Sequence, residues 1–383
     1  PIWCAMTNVY ITDLCVFLPN DPVSNDEMEE VLGFIGGKPS RAKKIILKSN
    51  GIKSRHYAID KDTKKLTHNN AELTAKAVDG ALKGRNTDIL SCGTSTPDQL
   101  MPGHAPMVQG ELGLAGVEVM SAAGICLSGI MALKYGYASI KGGLASSAVT
   151  TGSELVSPML ASKNFEAESE HKLSALEKKP EIAFEKDFLR WMLSDGAGAA
   201  FLSDMPNKDG LSLKIEWIET RSYANERPVC MYCGGVPKEN GGVKGWKEFG
   251  DISEVVDNSL LAIAQDVKLL NENIPIYAVE KPLAEIIEKR ALKAEDVDWL
   301  LPHFSSMYFS DKMFESMKKI GFEVPREKWF TNLTTKGNTG SASIYIILEE
   351  IFNSGKLKKG DKILCFIPES GRFSTGFMLL EAV

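Results

Sequence analysis

Short apolar stretches of strand character alternate with amphipathic helical ones along this chain, and the alternation is run through twice. Such alternation points to an α/β architecture, because a sheet and a helix each have an apolar face that the other can cover. In the first run, residues 9–17 alternate as a strand does, 88–92 and 117–121 read as short buried strands, and 147–152 as a strand of small residues. Residues 25–33 read as a helix with Asp26 and Glu27 in its first turn. Residues 70–83 place Leu73, Ala77, Val78, Ala81 and Leu82 on one helical face, and 127–140 read as a helix stopped by Gly142 and Gly143. Near Asp209 the order begins again, with strands at 211–220, 297–301 and 362–367 and helices at 253–270, 282–289, 309–320 and 341–353. Each run closes on a small-residue turn feeding an apolar strand, at Asp195-Gly-Ala-Gly-Ala-Ala-Phe-Leu-Ser and at Ser374-Thr-Gly-Phe-Met-Leu-Leu-Glu. This repeated order predicts an internal duplication, with halves at 1–207 and 208–383. A Glu- and Lys-rich stretch within about 155–190 reads as an insertion, helical and partly exposed, serving as a solvated lid or a substrate gate.

Composition narrows the classes. With 383 residues, 44% hydrophobic and 25% charged, the chain is globular and not disordered or fibrous. A formal net charge of -6 argues against nucleic-acid binding, which needs a basic surface. No stretch reaches the roughly 18 apolar residues of a membrane span. Residues 1–10 lack the basic start and long apolar run of a signal peptide, so a cytoplasmic location is expected. The cysteines, at 4, 15, 92, 126, 230, 233 and 365, are irregularly spaced and predict reduced thiols. Cys230 and Cys233 form a C-x-x-C with no second pair, so a structural role is expected and no metal.

Three positions carry candidate chemistry. Cys126 follows the strand at 117–121 and a small-residue turn, and precedes an apolar helix. A cysteine at a helix N-terminus meets backbone N–H groups that favour the thiolate. Gly124 and Gly129 beside it permit close approach of backbone or substrate. Taken alone, Cys126 reads more plainly as a buried core residue. His303 lies just beyond the strand at 297–301, where open α/β sheets place ligands; a satisfied loop histidine is the plainer reading. Asn338 stands in the turn Lys336-Gly-Asn-Thr-Gly-Ser-Ala-Ser, as a helix-capping loop residue or as an amide donor aimed at a substrate carbonyl. A thiolate, an imidazole and an amide at three strand ends suit acyl transfer.

These segments resemble a known family. Gly124-Ile-Cys-Leu-Ser-Gly, Pro302-His303 and Gly337-Asn-Thr-Gly-Ser-Ala-Ser are similar, in the same order, to the catalytic blocks of β-ketoacyl-ACP synthase III, a member of the thiolase superfamily. Gly51-Ile-Lys-Ser-Arg, Cys92-Gly-Thr-Ser-Thr-Pro through Met101-Pro102, and Leu193-Ser-Asp-Gly-Ala-Gly-Ala match further family segments. The resemblance implies a five-layered α-β-α-β-α fold of two duplicated halves, usually a homodimer. It implies that Cys126 takes an acyl group from CoA or acyl carrier protein, with no cofactor beyond the CoA or phosphopantetheine of the thioester substrates. His303 and Asn338 then stabilise an enolate formed by decarboxylation of a malonyl-type thioester. The N–H groups of Cys126 and Gly371 form the oxyanion hole, and Met101 either matches a position that reaches into a partner subunit's acyl pocket or is a core methionine. The departures are His303-Phe-Ser-Ser where the family has H-Q-A-N, and Glu369-Ser-Gly-Arg-Phe-Ser-Thr-Gly where it has a Gly-rich loop. Phe304, Arg372 and Phe373 suggest a reshaped acceptor side of the substrate pocket. The pattern is similar to specialised relatives that join β-ketoacyl thioesters on the way to dialkylresorcinols, or that transfer acyl groups to oxygen or nitrogen, more than to the fatty-acid-initiating enzyme. Arg41, Lys43, Lys44, Lys48, Lys53 and Arg55 concentrate positive charge and are expected to dock the anionic carrier protein or CoA, unless they are a plain solvated helix face. A biosynthetic thiolase would need a second cysteine as base, and Cys365 falls inside a strand. A cysteine hydrolase and a non-catalytic acyl-binding subunit are the remaining alternatives.

Overall fold

The structure, a computed structural model, describes residues 7–165, 188–257 and 260–383. The expected charged insertion lies mostly outside the described residues, at 166–187.

In the first half, β1 (Tyr10–Phe17), β2 (Ile89–Thr94), β3 (Glu118–Ala123), β4 (Ser147–Glu154) and β5 (Gly196–Ser203) pair in the order β3-β2-β4-β5-β1. In the second, β6 (Leu213–Ser222), β7 (Trp299–Pro302), β8 (Lys362–Glu369) and β9 (Ser374–Ala382) pair in the order β7-β8-β9-β6. The second order repeats the first, with its outermost strand reduced to one parallel bridge between Leu300 and Trp329. Strand directions repeat too. The β2–β4 and β7–β8 ladders are parallel, while β4–β5, β5–β1, β8–β9 and β9–β6 are antiparallel. The two series join edge to edge where Tyr10 and Ile11 meet Lys214 and Leu213 and the Ile215 N–H donates to the Val9 carbonyl at 2.8 Å.

Helices cover these sheets in layers. On the outside of the first sheet lies α1 (Asn70–Leu82), started by a capping box between Asn69 and Glu72. Its Leu73, Ala77, Val78 and Ala81 are buried with Val149, Ala197 and Ala199. Between the sheets lies α2 (Ser128–Lys141). Over the outer face of the second sheet lie α3 (Lys281–Arg290) and α4 (Tyr308–Lys319). Their Leu283, Ile286, Met313 and Met317 share a core with Leu364, Phe366, Phe377 and Leu379. α5 (Ser343–Asn353) joins α2 in the middle layer. There Ile130, Leu133, Ile344 and Leu348 pack with Ala200 and Leu202 of one sheet and Cys365, Met378 and Leu380 of the other. Successive residues of β8 and β9 thus face opposite cores, as a period of two requires. Both faces are buried, which is why these strands read as continuous apolar runs. Each large apolar side chain so buried contributes about 1.5–3 kcal/mol. The result is an α-β-α-β-α sandwich.

Two expected helices differ. Residues 253–270 are not one helix. A short helix, Ile252–Asp257, is followed by Ala264–Gln265, which pairs with Met231–Tyr232, and a new helix covers Val267–Ile274. Asp266 sets the new start, because its carboxylate accepts the Leu269 N–H at 2.9 Å. The helix expected at 25–33 shortens to Met28–Leu32, because the Glu27 carboxylate turns back to the Ser24 N–H and hydroxyl at 3.0 and 2.8 Å.

Candidate active site

Cys126 is buried in the turn between β3 and α2. Such a turn ordinarily offers its free N–H groups to a thiolate. Here a carboxylate takes two of them. Glu369, the last residue of β8, accepts the Ile125 N–H at 3.2 Å and the Leu127 N–H at 2.8 Å through the same oxygen. Burial, then the negative charges of Glu369 and Glu154, push the Cys126 thiol well above the usual cysteine range; its own backbone N–H works in the opposite direction. These surroundings favour the thiol over the thiolate.

His303 leaves the end of β7, and its N–H donates to the Phe366 carbonyl at 2.8 Å. Burial alone pushes its imidazole down to about 4. The ring is thus neutral at ordinary pH, with one nitrogen a donor and the other an acceptor.

Asn338 is held at three points. Its N–H donates to the Met192 carbonyl and its carbonyl accepts the Ser194 N–H, both at 2.8 Å. Its side-chain oxygen accepts the Gly340 N–H at 2.9 Å. An amide whose oxygen is so engaged presents its NH2 as a donor. The loop carrying Asn338 rests on a floor of glycines. A Cβ on Gly129 would lie 2.2 Å from the Ser341 carbonyl oxygen, and one on Gly152 would lie 2.1 Å from it. The close approach allowed by Gly129 is therefore by backbone. Glu154 ties the same loop down, accepting the Ser341 N–H at 3.1 Å and the Ser95 and Thr96 hydroxyls at 2.6 and 2.8 Å.

Cys126 and Asn338 share the wall of a narrow cavity of about 40 Å³, together with Ser95, Glu154, Gln265 and Ser305. His303 is not on that wall, but Ser305, two residues further on, is. A wider cavity of about 450 Å³ shares Ser95, Ile125, Met231 and Ile263 with the narrow one, and adds Glu369 and Gly371. That volume falls in the range of small-molecule sites. A wide vestibule ending in a narrow pocket at a thiol and an amide suits a thioester carried on a long flexible arm.

The other expected site residues divide. Gly371 lines the wide cavity, and a Cβ there would lie 2.8 Å from the Ile125 side chain, so the C-terminal turn approaches the nucleophile's turn through glycine. Met101 is 85% exposed on the loop after β2. Phe304 and Phe373 line neither cavity. Both are core residues, Phe304 stacked on Trp329 with centroids 6.1 Å apart and Phe373 tilted against Tyr277 at 6.2 Å. Of the basic cluster, Arg41, Lys44, Lys48 and Lys53 are exposed. Lys43 is half-buried and paired with Glu29 at 3.4 Å. Arg55 corrects the expected patch: it is buried, and its guanidinium donates to the carbonyls of Val23 at 3.3 Å and Trp191 at 3.4 Å. It sits in a short strand paired with Val23–Ser24, which turns it inward and away from any docking partner. In the C-x-x-C, Cys230 is buried and donates to the Asp266 carbonyl at 3.4 Å, while Cys233 lines the wide cavity. No cluster of metal-ligating side chains occurs among the described residues, and none of their helices is long and apolar enough to cross a membrane. Glu154, Ser95, Gln265 and Met231 were not foreseen. Glu369 had a visible signal, a charged residue where glycine is expected, but no role was read from it.

Known proteins resemble this chain in sequence and fold. The model of the family described as 3-oxoacyl-[acyl-carrier-protein (ACP)] synthase III C terminal matches residues 287–378, which contain His303, Asn338 and Glu369. The chain is 28% identical to β-ketoacyl-[acyl-carrier-protein] synthase III of Clostridium perfringens over 94% of its own length and 95% of that protein. It is 26% identical to the Streptococcus sanguinis enzyme of the same name, over 98% and 99%. Among solved structures, the tetronic acid condensing enzyme AbyA1 superposes with a TM-score of 0.73 at 21% identity, covering 97% of this chain and 99% of that one. Xanthomonas campestris OleA, with lauric acid and lauroyl-CoA bound, gives a TM-score of 0.72 at 20% identity, covering 98% and 99%; at such identities the likeness is one of fold. Matches running nearly end to end, on layers stacked in this order, make the chain similar to the condensing enzymes of the thiolase superfamily. By sequence and fold together it is β-ketoacyl-ACP synthase III-like, resembling acyltransferases of that kind.

Proposed function

We propose that the protein joins two thioester-borne acyl units by a Claisen condensation, through an acyl group carried on Cys126. The Cys126 sulfur attacks the thioester carbonyl of an acyl or β-ketoacyl donor, and the CoA or carrier-protein thiol departs. A second thioester supplies the carbon nucleophile as its enolate, by loss of CO2 from a malonyl-type acceptor or of its α-proton to a base, and the carbon–carbon bond forms as the acyl carbon–sulfur bond to Cys126 breaks. The Asn338 NH2 and the neutral His303 N–H donate to the enolate oxygen, and the backbone N–H groups of Cys126 and Gly371 donate to the oxygen of the acyl group under attack. The observation that carries this reading is the Asn338 amide, its oxygen already engaged, on the same narrow cavity as Cys126. Donors fixed before substrate arrives stabilise developing negative charge without reorganising.

For the product, we favour a specialised lipid or polyketide, of the dialkylresorcinol-forming kind, over initiation of fatty acids. The departures at His303-Phe-Ser-Ser306 and Glu369-Ser-Gly-Arg372 support this. The names of the curated relatives favour the second reading, β-ketoacyl-ACP synthase III chemistry proper. Mass spectrometry of products from paired acyl and β-ketoacyl thioesters separates them. A cyclic diketone or other joined product from two long acyl units fits the first. A β-ketoacyl thioester formed only with a malonyl acceptor fits the second, and free acid alone fits neither.

The molecule works, in this account, as a homodimer paired along β3. That strand ends its sheet, and Met101 and Leu100 stand exposed on the neighbouring loop. The exposed Arg41, Lys44, Lys48 and Lys53 form the docking surface for the anionic donor.

A further inference from the structure

The carboxylate of Glu369 stands where the fold would otherwise present only backbone N–H groups to the nucleophile. It arrives from β8, 242 residues away from Leu127 in sequence, and one oxygen spans the N–H groups on either side of Cys126. Gly124 belongs to the same contact, because a Cβ there would lie 3.7 Å from that oxygen. Burial pushes the Glu369 carboxyl above the usual carboxylate range, and the Leu127 and Ile125 N–H groups pull it back down; in its ionised form it opposes the field of the helix N-terminus, which otherwise favours a thiolate.

Among the described residues, no ion pair balances Glu369. On β6, Arg221 is paired with Glu219 at 3.2 Å and Glu285 at 2.8 Å. In the turn after β8, Arg372 donates to the Arg227 carbonyl at 2.9 Å. At the end of β4, Glu154 adds a second negative charge near the sulfur, but its oxygens accept from Ser95, Thr96 and Ser341. His303, after β7, is neutral. Glu369 is therefore the carboxylate whose hydrogen bonds all go to the nucleophile's own turn.

We propose that Glu369 is a positioning residue that sets the protonation of Cys126, its carboxylate clamping the nucleophile's turn while holding the sulfur as an unreactive thiol until a thioester occupies the site. This rests on the acyl-transfer reading of Cys126. In the acylation step the sulfur–carbon bond forms, the thioester carbon–sulfur bond breaks, and the Cys126 proton leaves with the departing thiol. A latent thiol of this kind resists oxidation and adventitious electrophiles, which react with the thiolate.

The test is the rate of Cys126 alkylation by iodoacetamide as a function of pH, with the site identified by peptide mapping. In the unaltered protein the rate should rise with a midpoint above the ordinary cysteine value of about 8.5. A midpoint at or below that value overturns the proposal without any variant. Glu369→Gln keeps an oxygen for the turn but removes the charge. It should move the midpoint down and speed alkylation near neutral pH, about tenfold for each unit moved. Glu369→Asp, which keeps the charge, should remain slow. If Glu369→Gln is alkylated no faster than the unaltered protein, the residue only clamps the turn and the proposal is wrong. Acyl loading from lauroyl-CoA, measured in parallel, keeps the two readings apart: absence of loading on the unaltered protein defeats the acyl-transfer reading, while alkylation still decides the role of Glu369.

Discussion

At the scale of single residues, Asn338 and His303 owe their usefulness to constraint. The Asn338 oxygen is spent on the Gly340 N–H, so its free function is that of a donor. Asn338→Ala should therefore leave acyl loading intact and abolish condensation, read as an acyl adduct that persists when the second thioester is added. His303 yields a pH effect whose sign is fixed. Its folded value, about 4, lies below the 6.5 of an unperturbed histidine, so folding favours the neutral ring. Its contribution to stability is complete above about pH 6.5 and is lost as the pH falls toward about 4. Urea titrations at pH 7 and pH 5 should show a smaller stability loss for His303→Gln than for the unaltered protein; an equal loss would put the titration elsewhere. Cys126, His303 and Asn338 were legible as candidates because each sits in a local pattern of strand end, turn and helix start. Glu369 was not, because its meaning depends on Ile125 and Leu127, which only the fold brings to it.

At the scale of elements, the middle layer works by close backbone contact. α2 and β4 let the Asn338 loop settle onto them only through Gly129 and Gly152. Gly152→Ala should cost about 1–3 kcal/mol, the usual penalty of overpacking a filled interior, seen as a lower urea midpoint. Gly110 is the control, a helical glycine with nothing within 4 Å of its would-be Cβ. Gly110→Ala should be neutral or stabilising by roughly 0.5–1 kcal/mol. Strands buried on both faces announced themselves as apolar runs, and α1 by its single apolar face. The helix expected at 253–270 failed because apolar spacing persists across Asp266, whose cap restarts the helix, and because Ala264 and Gln265 find a strand partner at Met231 and Tyr232 that lies far back in the chain. Periodicity reports which faces are apolar; it is blind to partners met only after folding.

At the scale of the whole molecule, the repeated strand order and the sandwiched helices explain how groups from both halves reach one place. Cys126 comes from the first half, and Asn338, on the same narrow cavity, and Glu369, bonded to the turn of Cys126, from the second. The α/β class and the duplication were readable from the doubled alternation of elements, while the five-layer plan came from the resemblance to a known family. The surface was less so, since charge in sequence says little about which side of a short strand faces out, as Arg55 shows. Lys44→Glu with Lys48→Glu should raise KM for carrier-bound donor while leaving kcat nearly unchanged, because exposed charge mainly steers encounter. Arg55→Glu should instead lower stability, since it strands a charge in the interior. The central claim, that an acyl group travels on Cys126, is tested most directly by intact-mass measurement after incubation with an acyl-CoA, followed by peptide mapping. The account predicts one acyl mass added per chain, located at Cys126 and absent from Cys126→Ala. An adduct at another residue, or products formed at full rate by Cys126→Ala, would contradict it.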